Sequence, residues 1–204
     1  RAWAMHLGNF GAAHWPDYES CAVAVNARGQ VAGHVAFEAE GRIRRRVFVV
    51  NARNEAILLP APTGTGSCAA ALNDEGAVLF NTHCGPFELN SEAVVWRHGA
   101  GTVIPGLPGG TGVWGTALTR AGSVAGRLIT ASGGIRAFWH EGGKTYDLNP
   151  GVGYQSEALA ASDDRVVVGR MLDQHGRRQA FRWTPADGLR PLADLVTEAT
   201  GWVL

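Results

Sequence analysis

The chain has no apolar run long enough to span a membrane, and its 204 residues carry no net charge. A membrane partner is therefore not expected, nor is a general nucleic-acid partner, which needs a basic footprint. Charged residues are sparse, at 18%. The one basic cluster, Arg42-Ile-Arg-Arg-Arg46, reads as a solvated edge at a turn entering a strand, where such residues also discourage edge-to-edge pairing. Three cysteines, odd in number and unequally spaced, do not suggest a disulfide framework. Neither Cys21 with His34 nor His83 with Cys84 has the short spacing of a structural zinc site, so no metal and no cofactor is expected. Thr63-Gly-Thr-Gly-Ser67 lacks the Lys-Ser/Thr of a phosphate loop and leads into a strand rather than a helix. No Asn-x-Ser/Thr acceptor occurs, and no catalytic motif of high specificity is present.

What the chain does have is glycine, 28 of it, and a sentence repeated four times. With Asn26, Asn73, Thr119 and Ser162 set in one column, the spacings are 47, 46 and 43 residues by subtraction. Small, alternating segments precede the column: Cys21–Val25, Cys68–Leu72, Trp114–Leu118 and Glu157–Ala161. β-Rich segments follow it: Gln30–His34, Ala77–Asn81, Ser123–Arg127 and Arg165–Arg170. Third segments run Arg46–Val50, Glu92–Trp96, Arg136–His140 and Gln179–Trp183. Short fourth ones are Ala56–Leu59, Thr102–Ile104, Thr145–Leu148 and Leu189–Leu192. Four strands recurring at about 45 residues are the signature of a β-propeller blade. The expected fold is thus an all-β single domain, a small propeller of four repeats at approximately 13–59, 60–105, 106–148 and 149–192. Segments 1–12 and 193–204 are expected to close the ring so that no edge is left open. Five blades is the alternative.

The columns also assign roles to single residues. Asn26-Ala-Arg-Gly29, Asn73-Asp-Glu-Gly76 and Thr119-Arg-Ala-Gly122 are four-residue turns. Gly33, Gly126 and Gly169 mark bulges or close packing of sheets, with Phe80 in their place in the second unit. Trp96 and Trp183 read as core between blades.

The pattern Ser-x-Ala-x-Ala-x-Asn…Gly-x-Val-x-Gly…Ala-Phe-x-Trp…Asp-Leu resembles the HAF repeat of bacterial proteins, often labelled extracellular repeats. The resemblance is strongest in the fourth unit and in Met5-His-Leu-Gly-Asn-Phe-Gly11. It is weaker in the second unit, where Val94-Val95-Trp96 replaces Ala-Phe-x-Trp. It implies a propeller-like fold and suggests a secreted protein. It implies no established chemistry, so it carries no catalytic residue onto this chain.

Candidate site residues come from the hairpin register. Counting back from the turns places Cys21 opposite His34, Cys68 opposite Asn81, Trp114 opposite Arg127 and Glu157 opposite Arg170. These pairs are polar or large, recur at the start of the innermost strands, and differ between units while the framework does not. That is the pattern of a pocket at one mouth of the central channel. Cys21 with His34 is a candidate thiolate–imidazole pair, and Glu157 with Arg170 a candidate charged clamp or acid/base. Trp114, Arg127, Asn81 and Cys68, with His14, Asp17, Tyr18 and Tyr154 at the rim, are candidate ligand-binding residues. Against this, buried Cys is an ordinary small hydrophobe and a Glu–Arg cross-strand pair is common in sheets. The expected function is a ligand-binding propeller for a small molecule or glycan. The alternatives are an enzyme using acid/base or thiol chemistry in that pocket and a protein-interaction scaffold.

Overall fold

The computed structural model describes residues 20–39, 41–60, 66–84, 90–149 and 155–196. The expected closing segments 1–12 and 193–204 lie outside these, apart from residues 193–196.

Sixteen strands form four four-stranded antiparallel sheets, each in simple sequence order. The first holds β1 (Ser20–Val25), β2 (Val31–Ala39), β3 (Arg42–Val50) and β4 (Ala56–Leu58). The second holds β5 (Ser67–Leu72), β6 (Val78–Thr82), β7 (Ala93–Arg97) and β8 (Ala100–Val103). The third holds β9 (Gly112–Leu118), β10 (Val124–Ile129), β11 (Ile135–Glu141) and β12 (Lys144–Asp147). The fourth holds β13 (Ser156–Ala161), β14 (Val167–Leu172), β15 (Arg178–Thr184) and β16 (Gly188–Pro191), followed by a 3-10 turn at Leu192–Leu195. The protein is all-β and propeller-like, and the four-strand unit read from the sequence recurs in each sheet.

One strand pair differs from expectation. β2 and β3 run on to a nine-residue hairpin, with Ala39 opposite Arg42, and Gly41 turns the chain at φ 69°. The basic cluster therefore lies within β3, not at a turn before it. Val35-Ala-Phe-Glu-Ala39 continues the strand pattern, and the arginines pair with it. Arg44, Arg45 and Arg46 are half-buried, and Arg46 Nη2 donates to Leu59 O at 3.3 Å.

The core lies in the seams between consecutive sheets. Each sheet offers a forward face to the next and a rear face to the one before. In the first seam Ala32, Val47 and Leu59 meet Ala69, Val78, Phe80 and Val94. In the second Leu79, Ala93 and Ile104 meet Val113, Val124, Leu128 and Phe138. In the third Ala125, Ala137, Trp139 and Leu148 meet Ala158, Val167 and Phe181. Trp96 and Trp183 pack against the first and third clusters, as expected of core tryptophans. Each fully buried aromatic contributes about 1.5–3 kcal/mol over an exposed one.

The large rear-face aromatic obeys a volume rule. Gly33, Gly126 and Gly169 stand opposite Phe48, Phe138 and Phe181, whereas in the second sheet Phe80 stands opposite Val94. The ring comes from the second or the third strand of the sheet, and the partner shrinks to make room. This explains both departures of the second unit, Phe80 and Val94, as one compensated exchange. A Cβ on Gly126 would fall on the Trp114 carbonyl oxygen and 3.0 Å from the Phe138 ring.

The turns join the sheets at one end. Asn26 Oδ1 accepts from Arg28 N (3.1 Å) and Gln30 N (3.0 Å), closing its own turn. Its Nδ2 donates to Asn73 O of the next turn at 3.0 Å. Asn73 repeats the arrangement, with its Nδ2 on Thr119 O at 2.8 Å. Thr119 has no side-chain amide to extend, and the third link keeps only a second bond already seen at the first: Ala27 N donates to Asp74 Oδ1 at 2.8 Å, and Arg120 N to Asp163 Oδ1 at 2.8 Å.

Among the described residues the fourth sheet differs in exposure. Ala32, Leu79 and Ala125 are 0% exposed, while Val168 in the same column is 40% exposed. Ala180, equivalent to the buried Val47, Ala93 and Ala137, is also exposed. Among the described residues the first and fourth sheets do not pack on each other as consecutive sheets do.

Two outcomes test this packing. Gly126→Ala should destabilise the fold by about 3 kcal/mol or more in urea denaturation, since backbone must move to accept the methyl group; a loss under about 1 kcal/mol would show that the seam yields. The second concerns His140, whose imidazole is buried and held below its ordinary pKa by desolvation. Thr145 Oγ1 donates to Pro105 O at 2.6 Å, so His140 Nδ1 must donate to Thr145 Oγ1, at 2.9 Å, in the neutral ring. Below the unfolded value near 6.5 the unfolded chain then binds the proton more readily than the folded one. Stability should fall from pH 7 to pH 5 by up to about 1 kcal/mol more in the wild type than in His140→Gln.

Candidate functional site

All four expected cross-strand pairs are present: Cys21 with His34, Cys68 with Asn81, Trp114 with Arg127 and Glu157 with Arg170. A bulge in each first strand sets this register. The ladder begins at the turn with Val25 opposite Val31, which alone would place Cys21 against Val35. The register then shifts between Ala22 and Ala24 and restores His34. The same shift occurs between Ala69 and Ala71 and between Ala158 and Ala160.

The four pairs do different things. Asn81, 1% exposed, clips the seam between the second and third sheets: its Nδ2 donates to Gly115 O at 2.9 Å and its Oδ1 accepts from Gly115 N at 2.7 Å. Both amide atoms are engaged by backbone. Cys68 is bonded to Cys84 across a Cα–Cα distance of 6.0 Å, so one bridge forms where the sequence suggested none. Cys84 lies two residues past β6, and His83, at φ 55°, turns the chain back toward β5. Cys21 is the free thiol and is exposed, with its Sγ directed to Ala22 O at 3.6 Å. His34 is half-buried beside it in the first sheet.

The third and fourth sheets build the charged centre. Glu157 Oε2 accepts from Arg170 Nε at 2.8 Å and from Nη2 at 2.6 Å. Glu157 Oε1 takes Arg127 Nη1 from the third sheet. The Arg127 guanidinium also lies over the Trp114 ring, 5.4 Å from its centroid. Arg127 therefore occupies the seam-crossing place that Asn81 holds one sheet earlier, reaching a carboxylate instead of backbone. The Glu157 and Arg127 side chains are only 10% and 18% exposed, and Arg170 is 53% exposed.

Beside this pair is a pocket of about 180 Å³, walled by Arg127, Glu157, Arg170, Gln155, Ser156 and Arg178, with Ile135, Met171 and Leu172 as its apolar part. The structure thus joins Glu157, Arg170 and Arg127, with Trp114 behind them. It does not bring Asn81 or Cys68 to the pocket wall, and Cys21 and His34 belong to another sheet. His14, Asp17, Tyr18 and Tyr154 lie outside the described residues. Sequence reasoning missed Gln155, Ser156 and Arg178. The signal was the register itself, continued past the named pair: Met171 opposes Ser156 and Leu172 opposes Arg178, while Leu172 N donates to Gln155 O at 2.8 Å. Among the described residues no group of three or more His, Cys, Asp or Glu comes together to hold a metal, and no helix is long and apolar enough to cross a membrane.

No protein family matches the chain by sequence, and no curated protein matches it. Among solved structures it is similar to a prolyl endopeptidase, with TM-score 0.55 and 15% identity over 90% of this chain and 29% of that one. It is equally similar to a puromycin-hydrolyzing peptidase of Mycobacterium tuberculosis, with TM-score 0.55 and 16% identity over 93% of this chain and 31% of that one. A weaker likeness, TM-score 0.42 and 9% identity, is to the β-propeller domain of the Trilobed protease from Pyrococcus furiosus, over 84% of each chain. The chain spans less than a third of the first two structures, and those likenesses concern the fold alone.

The burial of the charged centre ranks its members. Glu157→Gln leaves the Arg127 guanidinium without its counterion inside the seam and should cost about 3 kcal/mol in denaturant unfolding. Arg170→Gln removes a half-exposed partner and should cost no more than about 1 kcal/mol. Equal losses would place the buried load on Arg170 instead.

Proposed function

We propose that this chain is a ligand-binding, propeller-like domain that takes a small polar molecule, of the size of a single sugar, in the pocket at the seam of the third and fourth sheets. The carrying observation is a contrast within one column. At the second seam Asn81 closes the gap onto Gly115. At the third seam the Arg127–Glu157–Arg170 group leaves a hollow of about 180 Å³ beside it. Concave sites with a few convergent polar groups are where small molecules bind, and this one is below the ~300–1,000 Å³ of a drug-sized site. Arg127, Glu157 and Arg170 in its wall are three of the residues that the repeat columns single out.

The geometry supports binding ahead of catalysis. Each Glu157 oxygen faces a guanidinium, so the carboxylate is a fixed part of the wall. The thiol–imidazole pair considered for chemistry, Cys21 with His34, belongs to a different sheet from this group. The scaffold reading draws on a separate observation, the exposed Leu159 and Val168 on the fourth sheet.

A thermal-shift screen of monosaccharides and small metabolites tests the proposal, since a ligand that binds only the folded state raises Tm by mass action. Arg170→Gln is the informative variant, because Glu157 carries too much of the fold. The expected result is a stabilising ligand whose effect is lost in Arg170→Gln; product analysis of that ligand then separates binder from enzyme. No stabilising ligand, with a folded variant, would remove the pocket reading and leave the scaffold.

A further inference from the structure

We propose that the ligand of this pocket is a small organic carboxylate. The inference rests on the binding role proposed above and is carried by the balance of donors and acceptors in the wall. The carboxylate and hydroxyl acceptors of the wall are already engaged. Glu157 Oε2 takes two N–H groups of Arg170, and Glu157 Oε1 takes Arg127. Ser156 Oγ accepts from Ala137 N at 3.0 Å.

The donors are not. Arg178 lines the pocket with no hydrogen bond or ion pair among the described residues, and the Gln155 side-chain amide, which offers an NH2 donor and one carbonyl acceptor, makes none either. Arg170 uses Nε and Nη2 on Glu157, which leaves Nη1 available. Arg170 and Arg178 thus bring guanidinium N–H groups to a wall whose one carboxylate, Glu157, is already paired. A molecule seated here meets mostly N–H groups and positive charge, which favours a polar end that is an acceptor and negative.

The remaining features narrow the class. A guanidinium presents parallel N–H groups in a planar fork that matches the two oxygens of a carboxylate. Ile135, Met171 and Leu172 give the carbon skeleton an apolar surface that a bare inorganic anion would not use. The volume of about 180 Å³ holds a molecule of a few to roughly a dozen heavy atoms. Uronic acids and short-chain carboxylic acids have all three properties, and neutral sugars lack the charge.

Calorimetric titration of the folded domain with matched probes tests this: glucuronate, galacturonate and pentanoate against glucose, galactose and pentanol, with inorganic phosphate as a bare anion. At least one acid should bind about tenfold or more tightly than its neutral counterpart. The preference should shrink as salt is raised and be lost in Arg178→Gln, which sits at an exposed position and keeps the fold. Neutral probes binding as tightly as the acids, with Arg170 still required, would overturn the carboxylate assignment while leaving the pocket standing. Phosphate binding as tightly as the best acid would overturn it too. Binding of none of the probes would count against this inference and, together with an empty metabolite screen, against the pocket itself.

Discussion

A four-stranded sheet cannot bury both faces by itself, and in this protein every sheet depends on its neighbour for cover. The rear face of one packs on the forward face of the one before, through the same columns each time: Ala32, Leu79 and Ala125 forward, Val78, Val124 and Val167 to the rear. The other regularities follow from that repeated contact. The first strand of each sheet is rich in small residues, and at Gly126 and Gly169 the backbone of the paired first strand leaves no room for a Cβ. The large ring moves from the third strand to the second in the second sheet, with Val94 opposite Phe80, because the seam admits one large ring at that level and no second. Asn26 and Asn73 send their amides onward because a turn that closes only on itself would leave its sheet free to slide on the next. Such repeats hold one another nearest-neighbour fashion, and among the described residues the corresponding columns of the fourth sheet are left exposed at Val168 and Ala180.

The same constraint decides where a site can form. A residue at the start of a sheet's first strand lies at a seam edge, and its chemistry is set by what the neighbouring sheet sends across. Asn81 sends an amide, finds the Gly115 backbone and seals the level. Arg127 sends a longer, charged group. On the fourth sheet it meets Glu157, which stands in the column of Trp114, and the guanidinium with its Trp114 support leaves a pocket beside it. A buried charge pair is a poor device for stability compared with apolar packing of like size. Its presence where an amide would do, with a hollow beside it, is what separates this seam from the one before.

Much of this was legible in the sequence because a repeat provides its own alignment. Column positions gave the strand order in each sheet and the seam glycines. They also gave the four cross-strand pairs, and through them Glu157, Arg170 and Arg127. What was not legible lay where the repeat is broken. The Cys68–Cys84 bond depends on His83 taking a left-handed conformation just past β6, and no column contains that turn. The hairpin of β2 and β3 is longer than its counterparts, so the arginine cluster could not be placed by analogy with other units. Arg178 and Gln155 were reachable by carrying the same register further, but their side chains matter only because Arg127 arrives from another sheet. Contacts between sheets are what a count along one hairpin does not supply.

The charged centre also shows how structure and recognition share one residue. Glu157 is nearly buried and fixed by two arginines, so its contribution to a ligand is indirect: it holds Arg170 at the pocket wall with Nη1 free and keeps Arg127 in the seam. Arg178 has no such restraint among the described residues and stands at the start of β15, opposite Leu172. One arginine is thus preorganised and the other adaptable. The first costs little conformational entropy to use, and the second can adjust to the acceptor that arrives. An anion entering between them replaces no existing ion pair. Glu157 is already neutralised from both sides, and the excess charge of the wall is carried by the group nearest solvent, where desolvation is least costly. Affinity for an acid can therefore be added at this seam without weakening the contact that holds the third and fourth sheets together.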